Sequence, residues 1–308
     1  MRKHIISELV KLAGEDERVC LMVGDLGFNV VEEFAGSYPE RFINCGIAED
    51  NMMAAAAGMA LEGDVVFVYS IGNFPTLRCL EQIRNDVCYH RANVNIISVG
   101  GGFSYGSLGM THHTTEELAI LRALPEMKVY APADHYEAAA VLRRIAADPG
   151  PSYMRLARGA DKELHKAPVE DIDRLVPIGE QPENSEVTLI SAGIVWEEAL
   201  AAAERLREEG LTVKIFTCPS IKPFDSEGLK RLSESSGLIC TIEEHNIIGG
   251  LGGAAAEVLA ELGTHAPLLR FGLKDVYSGE VGSTEHLRRF YGIDGESVAG
   301  EILKRSRG

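Results

Sequence analysis

The stretch from Ile43 to Leu61 reads INCGIAEDNMMAAAAGMAL and places two acids, Glu49 and Asp50, directly before a run of Ala, Met and Gly. Such a small, apolar run predicts a helix that packs closely against other backbone, because a surface helix would alternate apolar and polar faces. A buried, unpaired carboxylate is costly and tends to take up a proton or a partner. Glu49 is therefore either a helix-start acid favoured by the helix dipole or a carboxylate that shares a proton with a bound molecule.

Around this stretch, short apolar runs alternate with helical patterns. Runs such as Val65–Tyr69 and Asn95–Val99 are typical of buried parallel strands, and a helix is predicted from about Thr76 to Tyr89. The alternation predicts a parallel α/β sheet in residues 1–160. Ligands of such sheets bind at the carboxyl ends of the strands. Four loops are expected at that edge: 24–29, 46–50, 70–74 and 100–113.

A second α/β pattern occupies residues 185–308, with strands predicted at 187–190, 213–216, 237–241 and 268–271. Residues 161–184 are rich in charge and proline and show little periodicity, so we expect a linker there. The fold class predicted is α/β, with two three-layer domains that each contain a mainly parallel sheet.

Composition narrows the functions open to this chain. Its 308 residues suffice for two domains, and a net charge of −16 argues against binding nucleic acid, which requires clustered Lys and Arg. The six cysteines are scattered without a C-x-x-C pair, which favours reduced thiols over disulfides or a zinc site. No apolar run reaches membrane-spanning length, and the N-terminal pattern is not that of a signal peptide. We expect a soluble, cytoplasmic protein with no membrane partner and no metal site of its own.

A glycine-rich segment, Gly100–Gly109, holds five glycines in ten residues. It resembles a phosphate-cradling loop but lacks the Lys-Ser/Thr of that motif, so a flexible active-site loop is an equal alternative. His112 and His113 follow it. They either present imidazoles to a substrate oxygen or belong to a helix start capped by Thr115. Adjacent side chains point in different directions, which disfavours a metal site.

Two further segments contain groups suited to binding an anion. The glycines of Glu243–Gly253 either bring backbone N–H groups to an anion or allow close packing of strand and helix. Of these two explanations we favour close packing. Arg155, at the end of a predicted buried strand, needs an anionic partner. That partner is either a structural carboxylate or a substrate group.

Three segments in this order resemble the C-terminal half of transketolases and deoxyxylulose-phosphate synthases. They are CGIAEDNMMAAAAGMAL, THHTTEELAILRALPEMKVYAPAD and EEHNIIGGLGGAAAEVL, which begin at Cys45, Thr111 and Glu243. The resemblance covers nearly the whole chain. It implies a pyrimidine-binding domain in residues 1–160, a linker in residues 161–184 and a transketolase C-terminal domain in residues 185–308.

The resemblance also implies roles for individual residues. Glu49 would be the catalytic carboxylate that hydrogen-bonds the aminopyrimidine of thiamine diphosphate, and Phe74 would stack on that ring. Ile47 would line the same pocket, and Asp25 would lie near the thiazolium. His112 would be catalytic and contact substrate oxygens. Arg155 and Arg2 would bind the sugar phosphate.

Departures from the family pattern concern the substrate. Leu108 stands where the family has an aspartate that contacts a ketose hydroxyl, so Leu108 is expected in the substrate site. Met110 replaces a proline, and Gly100 replaces a phosphate-contacting histidine. The usual sugar-phosphate substrates are therefore in question.

A Gly-Asp-Gly…Asn segment, which holds Mg²⁺ and the diphosphate in this family, is missing from the sequence. The resemblance thus implies a split transketolase, in which Mg²⁺ and the diphosphate are held by a separate N-terminal subunit. By analogy with the family dimer, the assembly expected is α₂β₂. The reaction expected is the transfer of a two-carbon ketol unit from a ketose to an aldose.

Four alternatives remain open at this point. The beta chain of a 2-oxo-acid dehydrogenase has the same domain order, but the segment from Thr111 to Pro125 favours transketolase. Deoxyxylulose-phosphate synthases are normally single chains and retain the aspartate replaced by Leu108. A catalytically idle scaffold is disfavoured by the presence of Glu49, Phe74 and His112 together. A nicotinamide-binding protein built on GGLGG lacks the acid-terminated second strand.

Overall fold

The computed structural model describes residues 1–159 and 162–306. It contains two α/β domains, as predicted. The strands of the first domain are β1 (Val19–Val23), β2 (Phe42–Asn44), β3 (Val65–Ile71), β4 (Val94–Val99), β5 (Lys128–Tyr130) and β6 (Ser152–Leu156). With a later strand, β10 (Ser220–Lys222), they form a sheet whose order across the described residues is β10-β5-β6-β4-β3-β1-β2. Pairings among β1 to β6 are parallel.

Helices cover both faces of the first sheet. They are α1 (Arg2–Glu15), α2 (Glu32–Ser37), α3 (Glu49–Leu61), α4 (Leu80–Gln82), α5 (Glu117–Arg122) and α6 (His135–Ala147). Successive strand residues point to opposite faces, so Met22 packs with α3 while Leu21 packs with α1 and α6. The α3 residues Met52, Met53 and Ala56 are fully buried, as the small apolar run predicts.

The second sheet is built from strands β7 (Val176–Pro177), β8 (Ser185–Ser191), β9 (Val213–Thr217), β11 (Ser236–Asn246) and β12 (Leu268–Leu273). Their order is β12-β11-β8-β9-β7, and all pairings are parallel except that of β7. The helices are α7 (Trp196–Glu208), α8 (Ser226–Glu234), α9 (Leu251–Glu261), α10 (Thr284–Phe290) and α11 (Gly295–Ser306). Helices α7 and α11 share one core with this sheet, while α9 contributes to a core continuous with the first domain.

The structure differs from the predicted domain division in two places. Strand β10 follows β9 in the chain but joins the first sheet, antiparallel to β5. Its Ile221 is 1% exposed, so burial of this side chain holds the strand at the edge. The predicted linker contributes β7 to the second sheet. The predicted boundary at residues 160 and 161 and the predicted end at residue 308 lie outside the described residues.

The segment after β3 also differs from its prediction. Turns occupy residues 72–79, and regular helix begins only at α4, which continues as a π-helix over Ile83–Cys88. The Thr76 hydroxyl donates to the carbonyl of Gly72 at 2.9 Å, and such a local bond competes with helix formation. The turns carry the side chains of Phe74 and Arg78 to the carboxyl edge of the sheet.

Part of the linker attaches to the first domain through buried acids. Asp134 accepts from the backbone N–H groups of Leu164 and His165 at 3.0 and 2.8 Å. The imidazole of His165 lies 2.9 Å from Glu137, which is fully buried and also accepts from Thr217 of the second domain. Glu137 therefore connects both domains and the linker. In the described part of the chain, no helix is long and apolar enough to cross a membrane.

The His165–Glu137 pair predicts a pH-dependent stability. Burial lowers the pKa of His165, but the hydrogen bond and charge of Glu137 raise it more, so the pKa lies above its ordinary value of 6.5. A raised pKa stabilises the fold below the ordinary value, and this stability is lost as pH rises through the folded-state pKa. We expect His165→Gln to lower the free energy of unfolding by about 1–2 kcal/mol in mildly acidic buffer. The difference in the free energy of unfolding between wild type and His165→Gln should become smaller toward mildly alkaline pH.

Urea unfolding of both proteins across this pH range measures the effect. His90→Gln, which changes an exposed histidine, is the matched control and should show no such trend. A deficit for His165→Gln that stays constant with pH would contradict the assignment.

Candidate active site

Glu49 is the first residue of α3, and its side chain is 1% exposed. Gly24, directly after β1, lies against it: a Cβ at Gly24 would be 3.3 Å from Glu49 Oε1. The close approach of this backbone is what excludes water from the carboxylate. A carboxylate so buried requires a counter-charge or a proton.

The counter-charge is Arg78, which the sequence analysis missed. Its Nη1 lies 2.7 Å from Glu49 Oε2, and its side chain is 45% exposed. The other carboxylate oxygen, Oε1, has only a weak contact at 3.5 Å from the Ser70 hydroxyl. The guanidinium also lies over the ring of Phe74, with Cζ 4.9 Å from the ring centroid. Glu49 and Phe74 thus hold one planar cation between them.

His112 continues this cluster on the other side of Phe74. The two ring centroids are 5.5 Å apart in an edge-to-face arrangement, and the ring of Tyr105 lies 6.1 Å from His112. The structure therefore brings together Glu49, Phe74 and His112, which the sequence analysis predicted to share one site. Tyr105 was not predicted, although it lies within the glycine-rich segment Gly100–Gly109 that the sequence singles out.

Beyond Tyr105 the site becomes cationic. The guanidinium of Arg158 lies 5.0 Å from the Tyr105 ring, and the charge of Arg2 also acts on the Tyr105 phenol. Burial raises the pKa of Tyr105, and the charges of Arg158 and Arg2 oppose that shift. Arg2 borders a cavity of about 520 Å³ that Phe28, Asn29 and Ala157 also line. This end of the site is suited to an anionic group.

The remaining predicted residues lie in loops that follow strands of the first sheet. Asp25, after β1, adopts a left-handed backbone conformation, with φ of 52°, and its carboxylate accepts from the Asn44 amide at 3.0 Å. Ile47, after β2, is 80% exposed, and Leu108, after β4, is 52% exposed. Phe28 and Met110, in the loops after β1 and β4, are likewise exposed.

Arg155, a predicted substrate-binding residue, is buried and bonded to other groups of the protein. Its side chain is 5% exposed and ion-paired with Glu117 at 2.7 Å. Its Nη2 also donates to the carbonyls of Thr114 and Glu244, at 2.5 and 3.2 Å. Of the two partners considered for Arg155, the structural carboxylate is the one present. Arg155 lies within β6, whereas Arg158 follows the strand at the carboxyl edge, where ligands bind.

The glycine-rich segment is packed between the domains, and its glycines accommodate side chains. Cβ atoms at Gly100, Gly101 and Gly102 would collide with Tyr105, Arg155 and Glu244 respectively. Each of these glycines is required because a neighbouring side chain occupies that space, and the backbone of Phe103 donates to Glu244 at 3.1 Å. The structure thus favours neither a phosphate cradle nor a flexible loop here.

His113 has a structural place in the same region. It is 1% exposed, with Nδ1 2.6 Å from the Ser278 hydroxyl and Nε2 3.0 Å from the Gly106 carbonyl. The carbonyl can only accept, so Nε2 carries the proton and Nδ1 accepts from Ser278. Only His112 of the pair faces the site. Helix α5 begins at Glu117 rather than after a Thr115 cap, and His245 accepts from the backbone N–H of Ala119 at 3.3 Å.

The glycines before α9 also have an internal partner. Glu243 accepts from the backbone N–H groups of Leu251 and Gly252 at 2.7 and 2.8 Å. Burial raises the pKa of Glu243 to about 7, against the opposing effect of these donors. The backbone N–H groups at this helix start therefore bond a side chain of the protein itself. They are not free to bind the phosphates of a nicotinamide cofactor. Within residues 1–159 and 162–306, no cluster of three His, Cys, Asp or Glu could hold a metal ion.

Comparison with known families gives this geometry a context. Residues 1–162 match the family described as the transketolase pyrimidine-binding domain, and residues 178–298 match the transketolase C-terminal domain. The chain belongs to the transketolase family.

Individual transketolase relatives align with this chain over nearly their whole length. A sequence from Methanocaldococcus jannaschii, described provisionally as a transketolase C-terminal section, is 39% identical and aligns with 100% of this chain and 96% of its own. One of the subunits of an apulose-4-phosphate transketolase from Phocaeicola vulgatus is 32% identical, over 98% of this chain and 96% of its own. A solved structure described as a split gene transketolase, an inactive beta4 tetramer, has a TM-score of 0.86 at 34% identity and covers 98% of this chain and 96% of that one. The predicted fold is thereby confirmed.

The Arg155–Glu117 pair of this transketolase-family chain predicts a large coupling energy. Removing one member of a buried ion pair leaves an uncompensated charge and costs about 3–5 kcal/mol. We expect Glu117→Leu and Arg155→Met each to destabilise the protein strongly, and the double variant to lose at least about 2 kcal/mol less than their sum.

Urea unfolding of the four proteins measures this cycle. Arg158→Met is the control, because an exposed arginine three residues away should change stability by no more than about 0.5 kcal/mol. Additive losses would show that the two side chains do not depend on each other.

Proposed function

We propose that this chain is the pyrimidine-binding subunit of a split, thiamine diphosphate-dependent transketolase. The observation that carries the proposal is the buried Glu49 carboxylate, which already holds a planar cation against Phe74. An aminopyrimidine is a planar ring with a nitrogen that can share a proton, so this pair of groups fits it. Thiamine diphosphate supplies carbanion stabilisation, which ketol transfer requires.

The residues of this chain would bind the pyrimidine and hold one proton. Glu49 would hydrogen-bond the ring through its carboxylate and hold the proton at Oε2, the oxygen that Arg78 contacts, while Gly24 lies against the other oxygen, Oε1. Phe74 would stack on the ring, and Ile47 would close its exposed side. Asp25, at the end of β1, would lie toward the thiazolium.

The substrate would lie along His112, Tyr105 and the cationic end of the site. His112 would bind substrate oxygens and transfer protons to them, because an imidazole nitrogen can donate a proton or accept one. Arg2 and Arg158 would bind an anionic group at the far end of the sugar. The relative from Phocaeicola vulgatus acts, by its name, on a sugar phosphate, which supports an anionic substrate.

Mg²⁺ and the diphosphate would be held by a second polypeptide, in an α₂β₂ assembly. The sequence lacks the Gly-Asp-Gly…Asn segment for that task, and two relatives are described as one of several subunits and as the product of a split gene. The exposed Phe28, Ile47 and Met110, in the loops after β1, β2 and β4, are the residues that such a polypeptide would cover. Leu108 would then face the closed substrate channel.

The direct test is Glu49→Gln in the assembled enzyme. The partner to co-express is a chain that carries the missing Gly-Asp-Gly…Asn segment. Because an amide cannot exchange a proton, kcat for ketol transfer should fall by about 10²–10⁴-fold. The assembly should remain intact, as judged by its mass in solution.

Asp50→Asn is the matched control, since Asp50 is the adjacent, exposed acid of the same helix turn. It should retain wild-type kcat. A Glu49→Gln enzyme with near-normal turnover would refute the proposed role of Glu49.

Arg158→Met tests the anionic end of the site. Hydrogen bonds to charged groups are worth about 1.5–3 kcal/mol, so the KM of an anionic sugar should rise by about ten-fold or more while kcat changes little. Steady-state kinetics with an uncharged analogue of the same sugar provides the control, because the variant should treat it as wild type does. Equal losses on both sugars would place Arg158 outside the anion site.

A further inference from the structure

The guanidinium of Arg78 engages both groups that the proposed function assigns to the pyrimidine. It is 2.7 Å from Glu49 Oε2 and 4.9 Å from the centroid of the Phe74 ring. A ring stacked on Phe74 and hydrogen-bonded to Glu49 would compete for the same carboxylate and the same aromatic side chain. The guanidinium and the pyrimidine are both flat and both can bond the buried carboxyl group: the guanidinium donates N–H groups to the carboxylate, whereas the ring nitrogen shares one proton with it.

We infer that Arg78 fills the pyrimidine pocket when this chain is without cofactor and must leave the pocket before the cofactor binds. The inference rests on the proposed function and goes beyond it, since it makes Arg78 a determinant of cofactor affinity. It also gives a physical reason for the ion pair. Without cofactor, Glu49 would otherwise be a charge with 1% exposure and no counter-ion.

The side chain can leave while the backbone stays in place. Arg78 is 45% exposed, so part of its side chain already borders water. The turn that carries it is held by bonds within 71–79, including Phe74 N–H to the carbonyl of Ile71 at 2.8 Å and Cys79 N–H to that of Thr76 at 3.1 Å. Rotation of one side chain then exchanges a guanidinium for a ring nitrogen beside Glu49. The carboxyl group keeps a hydrogen-bond partner before and after the exchange, because Glu49 would take up one proton from solvent and share it with the ring nitrogen.

The exchange has a measurable consequence for affinity. A site that is filled by its own side chain most of the time binds its ligand less tightly, in proportion to the fraction of molecules in which the pocket is open. Emptying the pocket permanently should therefore tighten cofactor binding. A residue that instead orients Glu49 in the working enzyme would have the opposite effect.

Arg78→Gln in the assembled enzyme tests this directly. Calorimetry with thiamine diphosphate and Mg²⁺ should give a dissociation constant lowered by about five-fold or more, because the competing guanidinium is gone. The association rate constant, followed by stopped-flow, should rise in parallel.

The matched control is Arg84→Gln, which changes a nearby arginine whose bond is to Asn85 rather than to Glu49. It should alter neither affinity nor turnover. If Arg78→Gln does not assemble, Arg78→Lys keeps a charge beside Glu49 but loses the flat group over Phe74. The dissociation constant of Arg78→Lys for thiamine diphosphate should fall by about two-fold or more, because the flat group that competes with the pyrimidine for Phe74 is gone.

Weaker or unchanged binding of thiamine diphosphate by Arg78→Gln would overturn the inference. Those outcomes leave the proposed function intact, because the wild-type complex still binds thiamine diphosphate. Failure of the wild-type complex to bind thiamine diphosphate would instead refute the proposed function, and the inference with it.

Discussion

The Glu49 carboxylate is enclosed by protein at the carboxyl edge of a parallel sheet, where its charge requires a donor at all times. Several other features of this edge follow from that requirement. Gly24 must lack a side chain so that β1 can end against the carboxylate, and the turns after β3 deliver Arg78 to pair with it. The alanine-rich face of α3 packs against the sheet, and this packing positions Glu49 at the first residue of the helix.

A second set of buried polar side chains connects the second domain to loops and helices near Glu49. It consists of three successive residues of β11. Glu243 accepts from the backbone N–H groups at the start of α9, Glu244 pairs with Arg288 and accepts from Phe103, and His245 accepts from the backbone of α5. Burial lowers the pKa of His245 to about 3, so the ring stays neutral and can accept a hydrogen bond. The second domain thereby holds the segment that carries Tyr105 and His112, and the two domains also share a continuous hydrophobic core.

Local patterns in the sequence predicted the fold and singled out Glu49, while the roles expected of Phe74 and His112 came from the family resemblance. Apolar runs revealed the buried strands, and the position of Glu49 before a small-residue helix revealed the unusual acid. The partners of these groups were less accessible, because contacts such as Glu49–Arg78 and Arg155–Glu117 span 29 and 38 residues. The helix predicted from about Thr76 begins later, and turns carry Arg78 instead. The apolar spacing of residues 76–89 is helical and gives no sign of the hydrogen bond from the Thr76 hydroxyl. Strand β10 was missed because a three-residue edge strand carries little periodicity, while Arg158 was recoverable from its place after β6.

We propose that this chain holds half of a cofactor site and that another polypeptide holds the rest. The decisive experiment is calorimetric titration with thiamine diphosphate and Mg²⁺, on the purified chain and on its mixture with the diphosphate-binding partner. We expect no measurable binding to the chain alone and one cofactor for each pair of chains in the mixture. Tight, Mg²⁺-dependent binding to the chain alone would contradict it.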